Sequence, residues 1–205
     1  MRQLVVNCIK IYKNNCSLNW IDTSNITDMS GLFKDINLMK GFEPWYIDIS
    51  KWNVSNVKNM REMFFYSYNF SFDISKWNVS NVEDMSAMFQ GYYELGWHTD
   101  ENMLANWNVS NVKDMAHMFE GCVNFNGDIS NWDVSKVWSM NKMFFKCEEF
   151  NTDISNWDVS NVTDMAYMFC GCNKFTCDLS NWDVSNVKDM TYMFSTYKTP
   201  KWYNG

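Results

Sequence analysis

The sequence predicts an α/β solenoid of about seven stacked coils, and three observations carry that expectation. A fixed period runs through the chain, apolar residues recur at the same places in every period, and the composition demands a large buried interior. Trp132, Trp157 and Trp182 are spaced by 25 residues, each inside Asp-Ile/Leu-Ser-Asn-Trp-Asp-Val-Ser, and Trp52 to Trp77 repeats the interval. Of 205 residues 46% are apolar and 18% aromatic, with 16 Met, 11 Trp and 15 Phe against 8 Gly and 2 Pro. Such a chain is neither disordered nor collagen-like.

With the Ile or Leu that opens the run as position one, units begin at Leu18, Ile49, Ile74, Leu104, Ile129, Ile154 and Leu179. The chain then divides into an N-terminal cap (1–17), a repeat region (18–197) and a C-terminal tail (198–205). In the cap, Leu4, Val5, Val6, Ile9 and Ile11 offer an apolar segment to cover the first coil. Position four holds Ile21 and then Trp52, Trp77, Trp107, Trp132, Trp157 and Trp182, so the site calls for apolar volume rather than an indole. Position twelve is Met throughout, and position sixteen is Phe from Phe33 to Phe194.

Within a unit, Ile-x-x-Trp-x-Val alternates as a short strand does and is ended by Ser-Asn. The following Asp-Met-x-x-Met-Phe, for example Met165, Met168 and Phe169, has the i, i+3, i+4 spacing of one helical face, with Asp84, Asp114, Asp164 and Asp189 as N-caps. A parallel strand needs a crossover of about a dozen residues or more, which the rest of a unit supplies. Extra residues before Ile49 and before Leu104 form two insertion loops at one corner of the coil, carrying Phe42, Trp45 and Tyr46, and Trp97 and His98. The tail, with Trp202, leaves the last coil thinly covered.

Three further rows follow from stacking. Position five gives Asp22, Asn53, Asn78, Asn108, Asp133, Asp158 and Asp183 on the outward side. A shared cation is the sharper reading of that row, but the Gly-rich spacing of calcium-binding coils is missing, so solvated carboxylates are expected. Asp48, Asp73, Asp128, Asp153 and Asp178 precede each strand and organise a turn. Cys122, Cys147 and Cys172 share position nineteen and are expected as small, buried or half-buried residues stacked along the coil; no CxxC pair marks a zinc site, and an odd total of 7 Cys argues against a full disulfide set.

A net charge of −7 with scattered cations excludes sequence-independent nucleic-acid binding. The two histidines, His98 and His117, lie in different parts of one unit, and no phosphate loop, nucleophile elbow or zinc-protease motif occurs, so no enzyme and no cofactor are expected. No apolar run is long enough to span a membrane, and Asn7 and Lys10 interrupt the N-terminal one, unlike a signal peptide. On that ground the expected compartment is the cytoplasm, with reduced thiols.

The motif Met-Phe-x-Gly-Cys-x-x-Phe-x-x-Asp-Ile-Ser-Asn-Trp-Asp-Val-Ser-Asn-Val-x-Asp-Met resembles the BspA-like leucine-rich-repeat surface proteins, in the variant known as a mycoplasma lipoprotein-type domain of unknown function. The likeness covers residues 18–197. It implies a leucine-rich-repeat-like right-handed coil with a parallel β-sheet on one concave face and short helices on the other. It also implies adhesion to host or cell-surface proteins, and hence the cell surface rather than the cytoplasm.

The expected function is a non-enzymatic module, adhesin-like or a scaffold, that binds a protein partner through the concave face or the aromatic loops. The candidate contacts are Phe42, Trp45, Tyr46, Trp97 and His98, with Lys51 and Lys76 at one end of the face and Asp133, Asp158 and Asp183 at the other. The alternative is a structural, self-associating protein that stacks through its terminal repeats, and the expected state is a monomer or a weak self-associate.

Overall fold

The computed structural model describes residues 1–12, 16–36, 45–67, 70–92, 102–195 and 199–203, the side chains of residues 45, 70 and 71 excepted. Helix α1 (Arg2–Tyr12) forms where the apolar residues recur at helical spacing. It buries Val5, Cys8 and Ile9 and leaves Leu4 and Ile11 in solvent. Arg2 fixes its position by donating from Nε to the Gly31 carbonyl at 2.9 Å and from Nη2 to that of Lys34. Strands β1 (Cys16–Ser17), β2 (Trp45–Asp48) and β3 (Phe70–Ser71) form a parallel sheet in that order, with Cys16 opposite Ile47 and Trp45 opposite Phe70.

The repeating segments stack in parallel register. Position eleven links each unit to the next through the bridges Asp28 to Asn59, Asp84, Asp114, Ser139, Asp164 and Asp189 in turn. Inside, the Phe column from Phe33 to Phe194 runs ring on ring, as in Phe89–Phe119 and Phe119–Phe144, both at 5.7 Å and 6°. A second column, Phe125, Phe150 and Phe175, lies beside it, with Phe150 only 4.0 Å from Phe144. Each stacked aromatic pair adds about 0.5–1.5 kcal/mol beyond its buried area.

Local structure within a unit departs from the strand and helix expected there. Positions one to four close a turn, as when Trp132 N–H donates to the Ile129 carbonyl at 3.1 Å, and positions six to nine close another, Val137 to Val134 at 2.9 Å. An extended strand cannot form over residues 129–134 while its backbone bends back on itself every few bonds. The named strands lie ahead of this segment instead.

The Met-Phe segment is likewise a run of turns and not a helix. Met143 donates to Met140, Phe145 to Lys142 and Cys147 to Phe144, all three residues back. The alternate N–H groups leave the unit: Met140 donates to Asp164, Lys142 to Ala166, Phe144 to Met168 and Lys146 to Cys170. A helix would keep every one of these donors for itself, so the stack gains inter-unit bonds at the cost of helical ones. All left-handed residues among those described fall on positions fourteen and eighteen, namely Gly31, Gly91, Gly121 and Gly171 and the non-glycines from Asp35 to Tyr192. Each non-glycine there costs about 1–2 kcal/mol.

These bonds have a direction. Positions twelve, fourteen, sixteen and eighteen aim N–H groups at the following unit, whose positions eleven, thirteen, fifteen and seventeen return carbonyls. Side chains reinforce the joints: the Asn81, Asn161 and Asn186 amides each donate at 2.7 Å to the position-seven Ser carbonyl of the preceding unit.

The Trp column corrects an expectation. Each indole N–H donates to the position-one carbonyl one unit earlier, Trp52 to Leu18 at 2.9 Å and Trp132 to Leu104 at 3.1 Å. Position four therefore needs a donor as well as volume, and Ile21 is admitted because no unit with such a carbonyl precedes it. Trp202 plays the same part for the last unit, its indole 3.0 Å from the Leu179 carbonyl, with Tyr203 packed edge-on to Phe194 at 5.1 Å. That end is capped, not thinly covered.

Candidate functional site

Positions three and five flank the buried Trp and point outward, which places Lys51, Lys76, Asp133, Asp158 and Asp183 in solvent as two exposed rows. The carboxylates are held rather than loose. Asp133 and Asp183 accept from the Ser135 and Ser185 backbone N–H groups at 3.1 and 3.0 Å. Bonds from the Ser hydroxyl and then its N–H hold both carboxyls below the usual range. Asp158 accepts from Ser160 N–H at 3.0 Å and its hydroxyl at 2.6 Å. The row is thus a ladder of Asx turns, presenting charges at fixed intervals.

Two other acidic rows use the same device. Asp73, Asp128 and Asp178 take the Ser75, Ser130 and Ser180 N–H and hydroxyl groups, as the turn reading expects. Asp84, Asp114, Asp164 and Asp189 accept from the N–H two residues on, at 2.8 to 3.0 Å. With no helix behind them they are turn-formers and not helix caps. Asp114 differs in being half-buried among neighbours that include Asp84, and burial above all pushes its carboxyl up.

The thiols at position nineteen are structural donors. Cys122, Cys147 and Cys172 are buried and reach the Phe89, Phe119 and Phe144 carbonyls at 3.0 to 3.1 Å. Ser67 fills the same role toward Phe33 at 2.5 Å. Burial raises all three thiols, Cys172 to about 12, so they stay protonated near neutral pH. All seven cysteines are free.

Of the aromatic candidates, Trp45 and Tyr46 lie in β2 rather than in a loop, and Tyr46 is 39% exposed. Burial first, then Asp48 and Asp73, raise its phenol. Phe42, Trp97 and His98 lie outside the described residues. Sequence reasoning passed over a second group at positions fourteen, seventeen and eighteen, exposed at Lys146 and Tyr192 and half-buried at Lys142, Phe145 and Tyr167. The signal was there, since position fourteen changes from Gly31 through Glu62 and His117 to Tyr192 between invariant methionines and phenylalanines.

These features define a repeat protein whose aromatic residues are spent on stacking and whose outward rows are free to vary. The chain belongs to the family described as "Mycoplasma protein of unknown function, DUF285", which matches residues 1–100 and 92–202. No curated protein and no solved structure matches it. No helix among the described residues is long and apolar enough to cross a membrane.

Proposed function

We propose that the chain is a non-enzymatic protein-binding repeat module, a leucine-rich-repeat-like coil of the BspA-like kind, acting as an adhesin or scaffold. The observation that carries this reading is the pair of exposed rows beside the Trp column. Position three carries Lys51 and Lys76 toward one end, and position five carries Asp22 in the first unit and Asp133, Asp158 and Asp183 toward the other end, each charge set by the register of its unit. A rigid surface built from one residue per unit, with opposite charge at its two ends, orients a partner on approach. The buried, protonated thiols and turn-bound carboxylates suit scaffolding better than chemistry.

Self-association through the terminal units has less support. Helix α1 occupies the first unit's end and Trp202 caps the last. The test is capture from cell-surface extract and from cytosolic lysate by wild type, by Lys51→Glu/Lys76→Glu and by Trp45→Ala/Trp97→Ala. A partner held by wild type and lost from the charge-reversed form is the expected result. Equal recovery of every protein by all three forms refutes the reading.

A further inference from the structure

We propose that Lys142, Phe145, Lys146, Tyr167 and Tyr192 form a docking strip for an acidic, apolar peptide segment of a partner protein. This surface is separate from the charged rows beside the Trp column, and it rests on the reading of the chain as a binding module.

The first argument is conformational. Lys142, Lys146, Tyr167 and Tyr192 have φ of 53°, 60°, 59° and 50°, the left-handed region that glycine enters freely. Elsewhere in the same two rows the sequence does use glycine, at Gly31, Gly91, Gly121 and Gly171. Strained bulky residues are retained when their side chains do something. These do not fill the core: Tyr192 is 65% exposed, Lys146 is exposed, and Lys142 and Tyr167 are half-exposed.

The second argument is electrostatic. In the same rows Lys34 has Glu62 at 2.6 Å, and His117 Nδ1 lies 2.5 Å from the Glu120 carboxylate. Lys142 and Lys146 have no carboxylate partner among the described residues. Lys142 Nζ instead sits 5.9 Å from the Phe145 ring and 5.6 Å from that of Tyr167, and Lys146 Nζ sits 5.3 Å from Phe145. On a chain of net charge −7 these two cations are framed by rings instead of carboxylates.

The rings form a continuous platform, Phe145 edge-on to Tyr167 at 6.2 Å and Tyr167 against Tyr192 at 5.4 Å. Gly171 keeps the step beside Lys146 free of a side chain, since a Cβ there would stand 3.1 Å from the Lys146 Cα. Exposed Tyr rings give rigid apolar contact at low entropic cost, and the lysines select carboxylates. Two cations on an acidic chain are too few for a phosphate backbone, which leaves an acidic peptide as the matching partner.

The experiment is fluorescence polarisation with a labelled peptide of alternating Glu and Leu, against Lys-Leu and Glu-Ser counterparts and an oligouridylate. Wild type binds the Glu-Leu peptide in preference to all three. Tyr167→Gly/Tyr192→Gly weakens it at least about tenfold, the loss of two interface anchors, with a melting temperature unchanged or higher because the strain is released. Lys142→Glu/Lys146→Glu weakens it likewise without touching the tyrosines, and Lys51→Glu/Lys76→Glu leaves it unchanged. No binding to wild type, equal binding of the Glu-Ser peptide, tighter binding of the oligouridylate, or indifference to either strip variant overturns the proposal. A partner captured in the pull-down with no peptide binding here sinks the strip alone; peptide binding with no charge-dependent capture sinks the role given to the charged rows alone.

Discussion

Replacing Trp132 by Phe removes one indole N–H and one fused ring from a site that is 3% exposed. The hydrogen bond lost is the one to the Leu104 carbonyl at 3.1 Å. That oxygen also accepts the Trp107 backbone N–H at 3.1 Å, so it keeps one of its two partners. The penalty for the half-satisfied acceptor belongs at the low end of the usual range, about 1 kcal/mol. The missing ring adds about 1–2 kcal/mol for lost burial and the gap it leaves. The expected total is about 2–3 kcal/mol, equivalent to roughly 5–10 °C in Tm for a chain of this length. Urea unfolding followed by circular dichroism reads it as a fall in midpoint at unchanged slope. A cost below about 0.5 kcal/mol would show that the indole joint between units contributes volume only, and the account of why Ile21 stands in the first unit would fall with it.

The pH profile follows from the Asx turns. Ser hydroxyl and backbone N–H bonds hold the carboxyls of Asp73, Asp128 and Asp133 low, so the fold favours their ionised form. Their stabilisation is complete above the unfolded value of about 3.9 and is lost as pH falls through the lower folded values; thermal melts at constant ionic strength should show stability declining below about pH 4. Asp114 has the opposite sign, because burial raises its carboxyl and its charge is a liability at neutral pH. Asp114→Asn keeps a turn acceptor, as Asn59 shows in the same row with Arg61 N–H at 2.9 Å, and should raise Tm at pH 7 but not at pH 3. A thiol reagent added to native protein should label the half-buried Cys170 and Cys177 first and Cys122, Cys147 and Cys172 only on unfolding; early labelling of Cys147 would contradict the closed column.

The interior was legible in the sequence because stacking converts a period into columns: Trp132, Met140 and Phe144 had to meet their counterparts 25 residues away wherever the backbone went. The local backbone was not. Met165, Met168 and Phe169 face one side in a helix and also in consecutive three-residue turns, so apolar spacing alone does not separate the two. Glycine at position eighteen in Gly91, Gly121 and Gly171 was the available sign, since a recurring left-handed residue cannot belong to a helix. The charged rows were readable because positions three and five bracket a tryptophan that must be inside. The Lys142–Tyr192 strip was hidden for the opposite reason: its rows change residue type from unit to unit, and repeat alignment draws attention to what stays the same.

The repeated hydrogen-bond pattern between units sets how such a molecule can change its length. Because every joint repeats the same pattern of donors and acceptors, a whole period copied or deleted between Ile129 and Leu179 rejoins with its bonds matched, and only α1 and the Trp202 segment must stay where they are. A partial period, or one reinserted in reverse, leaves unmatched groups at two seams. Gene duplication could therefore lengthen the molecule in whole steps, adding one fresh residue to each outward row, without redesigning anything in its interior.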